Sequence, residues 1–303
     1  MDRKQLFKGY IFIVLSALIF GLMPLMAKMI YADGVNPMTL VFLRNLFALP
    51  SLAILALSTQ KTLKVPLRTL PKLSFISFFG CTLTPVLLFS SYNYIASGTA
   101  TVLHFIYPAL VALGGILFFR KKVEPWTVVS IALCVLGVAL FYNPGEPLDL
   151  TGSLFAICSG VTFAVYVIAL SRFKDSRVSG FLFSFYVAAA SSIMTFILCI
   201  ATGNLALPTT LGGWLLCALF ATAVTTGAVV LFQQGAFIIG GEKTSILSTL
   251  EPITGVAVGL LILHESASIN ALFGCALVIA ASVMIAICDF KKNNKNSKDL
   301  DKK

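Results

Sequence analysis

Residues 9–58 read GYIFIVLSALIFGLMPLMAKMIYADGVNPMTLVFLRNLFALPSLAILALS. The apolar runs 9–31 and 37–58 each reach the roughly 20 residues that a helix needs to cross a bilayer. Between them stand Ala32-Asp33-Gly34-Val35-Asn36, a short polar break whose Gly and Asn favour reversal of the chain. The stretch reads as a helical hairpin through a membrane. Long apolar runs and tight breaks then continue outward to residue 288.

Eight further runs lie at 71–94, 99–119, 127–142, 150–171, 179–202, 212–237, 245–263 and 268–288, giving ten predicted spans. The fifth is short, and the breaks at Ser97-Gly98 and Gly240-Gly241 are tight. Composition agrees: of 303 residues 58% are hydrophobic and 11% charged, with a mean hydropathy of +0.95. A soluble domain carries about 25% charge, so this chain lacks the polar groups to cover a soluble surface. Disorder, collagen-like structure and nucleic-acid binding as a main role are excluded by the same figures. The first run is too long for a signal peptide and has no small-x-small cleavage site, so it is read as a retained span. Seven cysteines sit in apolar stretches, the closest pair 13 residues apart, which suits neither a zinc site nor a disulfide framework.

Charge sets the expected orientation. With the N-terminus inside, twenty of the 22 Lys and Arg residues fall in cytoplasmic segments: 1–8, 61–72, 120–122, 172–177, Lys243 and the tail from Lys291. The external loops carry Asp33, Glu146, Asp149 and Glu265 and no basic residue. This is the positive-inside pattern, and an even number of spans returns the C-terminus to the cytoplasm. The net charge of +10 is therefore topological. The expected organisation is a cytoplasmic N-terminus (1–8), a five-helix unit (9–142), an external linker (143–149), a second five-helix unit (150–288) and a basic cytoplasmic tail (289–303) suited to anionic lipid.

Ten helices divide naturally into two sets of five. An offset of 144 residues places Pro108 on Pro252, Gly115 on Gly259 and Ala132-Leu133 on Ala276-Leu277. Seven identities in the 49 positions of 94–142 are close to chance for so apolar a segment. The order of elements is the stronger signal: a Gly-containing break, a span with Pro about nine residues in, a polar break, then a last span. Because five is odd, the second unit would run inverted in the membrane, a recurring transporter plan with its site near the midplane.

The chain resembles the drug/metabolite transporter superfamily in its EamA-type branch, over about residues 9–288. The likeness rests on NPMTLVFLRNLFALP, with Asn36-Pro37 and Arg44. It rests also on the paired segments TATVLHFIYPALVALGGILFF and TSILSTLEPITGVAVGLLILHES, and on Glu265 after the ninth span. Arg120-Lys121-Lys122 stands where the first unit often has an acidic residue. The resemblance implies ten transmembrane helices, a central cavity lined mainly by spans 1–4 and 6–9, and alternating access. It does not identify a substrate.

Ionisable side chains inside a bilayer are costly and therefore candidates for function. Arg44 lies seven residues inside the external boundary of its span, suited either to a substrate carboxylate or phosphate through its two-pronged guanidinium or to structure and gating. Lys28, nearer a helix end, is a weaker cavity candidate and suits snorkelling. Glu251, six residues into the ninth span and followed by Pro252, is suited to exchange a proton or neutralise a substrate amine; the competing reading is a helix-end carboxylate paired with Lys243. Ser248 precedes it on the same face.

The offset sets Glu251 against Tyr107 and Ser248 against His104, and inversion would turn both pairs toward one cavity. His104 suits a proton path or a hydrogen-bonded packing role. Tyr92, Asn93, Gln233 and Gln234 are weaker cavity candidates, with Tyr92 and Tyr107 also suited to the membrane interface. Pro85, Pro108 and Pro252 are expected at kinks. Gly255 and Gly259 form a GxxxG pattern suited to close helix packing.

His264-Glu265 lacks the second His of HExxH, and no P-loop occurs, so neither an enzyme nor an ATP-driven pump is expected. No cofactor or metal site is expected. The sequence is read as a secondary active transporter of the cytoplasmic membrane exporting small metabolites such as amino acids, with protons as a candidate coupling ion and a monomer or weak homodimer as its state. The alternatives are efflux of drugs or cationic compounds, transport of a phosphorylated metabolite, and a non-transporting membrane partner or lipid flippase subunit.

Overall fold

The computed structural model describes residues 3–60, 62–119, 125–140, 149–173, 175, 177–239, 244, 247–248, 250–265, 269–270, 272–281 and 283–284. Lys61, Arg120-Lys121-Lys122, Glu146, Lys174, Gly240-Gly241, Lys243 and the basic tail lie outside them. Among the described residues every regular element is helical.

Seven helical segments are long and apolar enough to cross a membrane. They are α1 (Gln5–Tyr31), α2 (Pro37–Gln60), α3 (Leu67–Ser91), α4 (Ser97–Gly115), α6 (Leu150–Arg172), α7 (Gly180–Ala201) and α8 (Leu211–Ile239). The runs at 127–142, 245–263 and 268–288 contain shorter helices: α5 (Pro125–Ala139), α9 (Leu250–Leu261) and α10 (Leu272–Ala281). The expected ten full-length spans thus appear as seven long helices and three short ones among the described residues.

Local chemistry starts four of the helices, α2, α6, α7 and α8. Asn36 Oδ1 accepts from Thr39 N at 2.9 Å, and Pro37 occupies the first helical position, where its missing N–H costs nothing. Asp149, Ser179 and Thr210 cap α6, α7 and α8, each accepting from the backbone N–H three residues on. In the α1–α2 turn, Asp33 accepts from Thr209 N at 2.9 Å and Thr210 N at 3.2 Å, tying this turn to the start of α8. These hydrogen bonds, Thr210 foremost, hold the Asp33 carboxyl below its ordinary pKa.

Helix packing closes a ring. Taken in the order α1–α8–α2–α7–α3–α6–α4–α9 and back to α1, every neighbouring pair is in contact. Exchanging α1–α4 with α6–α9 turns this set of contacts into itself: α1·α8 becomes α6·α3, and α2·α8 becomes α7·α3. The remaining helices α5 and α10 pack outside, with α5 against α4 and Cys275 and Val278 of α10 against Val102, Phe105 and Tyr107. Ile54, Ile193 and Leu215 point away from the ring at over 60% exposure, as lipid-facing side chains would.

Two ring helices change pitch. In α3, residues Phe78–Leu83 form a π-helical turn, and in α8 residues Ala221–Val229 do the same. The offset of 144 that aligns the two halves carries 78–83 onto 222–227, inside the second turn. Such turns leave backbone carbonyls without their usual partners, and side chains take over. Pro85 lacks the N–H that Cys81 O would accept in a helix, and Ser191 Oγ of α7 donates to Cys81 O instead at 2.8 Å. Thr84 Oγ1 donates to Phe79 O at 2.6 Å, and Ser16 Oγ of α1 to Ala228 O at 2.7 Å.

Candidate functional site

The ring encloses a cavity to which α1, α2, α3, α4, α6, α8 and α9 all contribute side chains. Its walls are largely aromatic: Phe20, Phe89, Phe163, Tyr166 and Phe232. Phe163 is the hub, its ring centroid 5.2 Å from His104, 4.7 Å from Tyr107, 5.3 Å from Tyr166 and 6.1 Å from Phe232. Arg44, His104 and Glu251, from three different helices, meet this wall. The space open to a water-sized sphere is about 60 Å³, enough for a few waters but not for a metabolite. The cavity stands contracted.

Arg44 is turned inward by α2 and is 4% exposed. Its guanidinium lies 5.6 Å from the centre of the Phe89 ring, a cation–π contact. Its Nε has no hydrogen-bond partner among the described residues, and no ion pair forms there. Burying such a cation without a carboxylate is expensive. On another wall of the same cavity Glu251 is 7% exposed at the start of α9, and among the described residues it too lacks an ion pair. Pro252 follows it in the first turn of that helix.

His104 ends the first segment of α4, Ser97–His104, and a turn at Phe105-Ile106 separates it from the second, which begins at Tyr107. Pro108 lies just beyond this turn. His104 Nδ1 is 2.8 Å from Ser159 Oγ of α6. The approach at this break is close, because a Cβ on Gly160 would stand 2.6 Å from His104 O. Tyr107 lies behind the wall, edge-to-face with Phe163 and hydrogen-bonded with Ser248. His104, Tyr107, Ser248 and Glu251 are thus brought together.

The weaker candidates separate. Gln233 is buried and bridges three helices, accepting from Ser184 Oγ of α7 and donating to Tyr166 OH at 3.1 Å. Gln234 faces Gly180 at the start of α7. Tyr92 is buried against Phe89, and Asn93 is exposed beyond the end of α3. Lys28 is held in an ion pair. Its Nζ lies 2.5 Å from Glu265 Oε1, joining the end of α1 to the segment after α9. The same carboxylate accepts from Ser97 Oγ at 2.8 Å and Gly98 N at 3.3 Å, satisfying the N-terminus of α4 as an anion should. Gly255 faces Thr101, and Gly259 faces Glu265 and Gly98, so this stripe packs within the chain.

Two features escaped the sequence reading. Phe163 and Tyr166 sit in an apolar run where aromatics carry no distinguishing signal. The Lys28–Glu265 pair spans 237 residues of sequence, and only the α1·α9 contact of the ring brings it together.

Comparison with known proteins fits this architecture. The model of the EamA-like transporter family matches the chain twice, over residues 7–143 and 150–287. An uncharacterized transporter of Clostridium kluyveri is 24% identical, the match covering 97% of this chain and 96% of that protein. A WAT1-related protein of Arabidopsis thaliana is 23% identical over 96% of this chain and 92% of its own length. A crystal structure with 15% identity covers 95% of this chain and 98% of its own, with a TM-score of 0.63, a likeness of fold alone. The chain belongs to the EamA-like transporter family and is a multi-pass membrane protein of that family.

Proposed function

We propose that this protein is a secondary transporter of the cytoplasmic membrane that exports small zwitterionic metabolites, amino acids foremost, through the ring cavity. The observation that carries the proposal is the pair of unmatched charges: Arg44 on α2 and Glu251 on α9 border one cavity, and neither has an ion-pair partner among the described residues. A carboxylate on Arg44 and an ammonium on Glu251 would complete both, and the phenylalanine wall would take an apolar side chain. A purely cationic drug would leave Arg44 unmatched. A phosphorylated metabolite would have one cavity cation, because Lys28 is held by Glu265.

Ten transmembrane helices in two inverted five-helix repeats are part of this proposal. Its support is threefold: the family model matches in tandem, the ring contacts map onto themselves under exchange of halves, and the two π-helical turns stand one repeat apart. Termini in the cytoplasm follow from the distribution of Lys and Arg.

Rocking of the halves would enlarge the contracted cavity alternately toward each face. Lys28–Glu265 and the Glu265–Ser97 bond would close the external face, joining α1 and α4 of the first half to the second half. In the cycle, proton exchange at Glu251 would couple export to the proton gradient. Reconstituted protein, loaded with a labelled apolar amino acid and challenged with its deaminated acid or decarboxylated amine, tests the substrate class. The zwitterion should compete at least tenfold better than either analogue, in line with about 1.5–3 kcal/mol for a charged hydrogen bond. Equal competition by the amine would instead favour cation efflux.

A further inference from the structure

On the face opposite the Lys28–Glu265 pair, a second and larger hollow of about 460 Å³ opens between the two halves. One wall is the lead-in to α3, where a short 3₁₀ turn, Leu67–Thr69, precedes the helix. The other is the end of α6 and the connection to α7. Arg68, Lys72, Arg172 and Arg177 line it, with Asp175 as the single acidic residue.

That acid is already committed. Asp175 Oδ1 accepts from Arg177 Nε at 2.9 Å and from Arg177 N at 3.1 Å, while Oδ2 accepts from Arg177 Nη2 at 3.0 Å and Thr69 Oγ1 at 2.8 Å. The bonds from Arg177 and Thr69 hold its carboxyl well below the usual carboxylate range. Asp175 therefore offsets Arg177 and fixes the two walls together, leaving Arg68 and Lys72 to supply uncompensated charge. Arg68 and Lys72 are four residues apart, and both are exposed and unpaired among the described residues. Beside them, Leu67 and Phe75 are 81% and 51% exposed. The hollow thus offers cations at helix ends next to bare apolar surface.

We propose that this hollow binds the phosphate-bearing headgroup of an anionic phospholipid. A phosphate ester would take charge-assisted bonds from the guanidinium and ammonium groups, and the acyl chains would run over Leu67 and Phe75 into the bilayer. Free phosphate shares the headgroup chemistry, but the adjoining apolar surface favours a lipid. Basic pockets between helices at a membrane surface are suited to this use. Because its walls come from α3 and from the α6–α7 connection, an occupied site would draw the ends of the two halves together.

The test uses the purified full chain in a zwitterionic detergent, with melting followed on adding phosphatidylglycerol, phosphatidylcholine or inorganic phosphate. Phosphatidylglycerol should raise the melting temperature over phosphatidylcholine by roughly 2–4 °C. The increment should fall with salt and be lost in Arg68→Gln/Lys72→Gln but kept in Lys64→Gln, an exposed residue of the same connection outside the hollow. Retention of phosphatidylglycerol in native mass spectra gives a second reading should the double variant melt early. Equal shifts with both lipids, or a shift untouched by the double variant, would overturn the site. Inorganic phosphate reproducing the full shift would overturn the lipid as its occupant.

Discussion

Lys28 Nζ and Glu265 Oε1 lie 2.5 Å apart, although 237 residues separate them, and the same carboxylate reaches Ser97 and the Gly98 amide. One acidic side chain therefore holds three ring helices, α1, α4 and α9, at one end of the cavity. Glu265→Gln, which keeps the shape but removes the charge, is expected to loosen that end. In a chain whose other six cysteines are alanine, Cys81 on the cavity wall should react at least threefold faster with an impermeant maleimide applied to that face. Unchanged labelling would mean that the pair does not close it.

The same contact sets a pH dependence. Burial alone would raise the Glu265 pKa, but hydrogen bonds from Lys28 and Ser97 outweigh it and lower it from the ordinary 4.5. A depressed folded-state pKa stabilises fully above the unfolded value and loses that contribution as pH falls through the folded one. The gap in melting temperature between the wild type and Glu265→Gln should be flat from pH 7 to about 5 and shrink below 4.5. Melting curves across pH 3.5–7 on both proteins check this; a gap that widens on acidification would contradict it.

Gly80 permits the closest approach in the cavity wall. A Cβ there would stand 2.1 Å from Tyr166 Cδ2, and Tyr166 cannot move freely because Gln233 donates to its hydroxyl. Gly80→Ala is expected to drive the Tyr166 ring into the contracted cavity, costing about 1–3 kcal/mol in stability and most of the transport. Thermal melting and uptake read together decide it. Normal uptake by a folded variant would show that Tyr166 has another place to go.

Ser191 joins α2, α3 and α7. It accepts from Asn45 Nδ2 at 3.0 Å and Thr82 Oγ1 at 2.9 Å, and it donates to the Cys81 carbonyl beside the π-helical turn. Ser191→Ala would strip all three, and denaturation should register a loss of about 0.6–2 kcal/mol. Ser191→Thr should recover part of it. A neutral alanine variant would mean that the turn finds other partners.

Much of the helix pattern was legible because hydropathy and breaks report it directly. The run 37–58 became Pro37–Gln60, and 150–171 became Leu150–Arg172. The π-helical turns were not legible: shifting a backbone hydrogen bond by one residue leaves hydropathy unchanged, and α8 lacks even the Thr84-Pro85 clue present in α3. Arg44, His104 and Glu251 were legible as costly polar groups within apolar runs. Their convergence was not, since the ring order α1–α8–α2–α7–α3–α6–α4–α9 interleaves the halves in a way that sequence adjacency does not reveal. The partner of Lys28 was not legible for the same reason: Glu265 comes beside it only through the packing of α9 on α1.

The central claim is that Arg44 and Glu251 receive the two charges of a zwitterionic substrate. Uptake of a labelled amino-acid pool into liposomes, with and without a pH gradient, tests it most directly when wild type, Arg44→Gln and Glu251→Gln are measured together. Expected are gradient-dependent uptake by the wild type, a fall of at least about tenfold in Arg44→Gln, and loss of the response to the gradient in Glu251→Gln. Wild-type rates in both folded variants at every pH would contradict it.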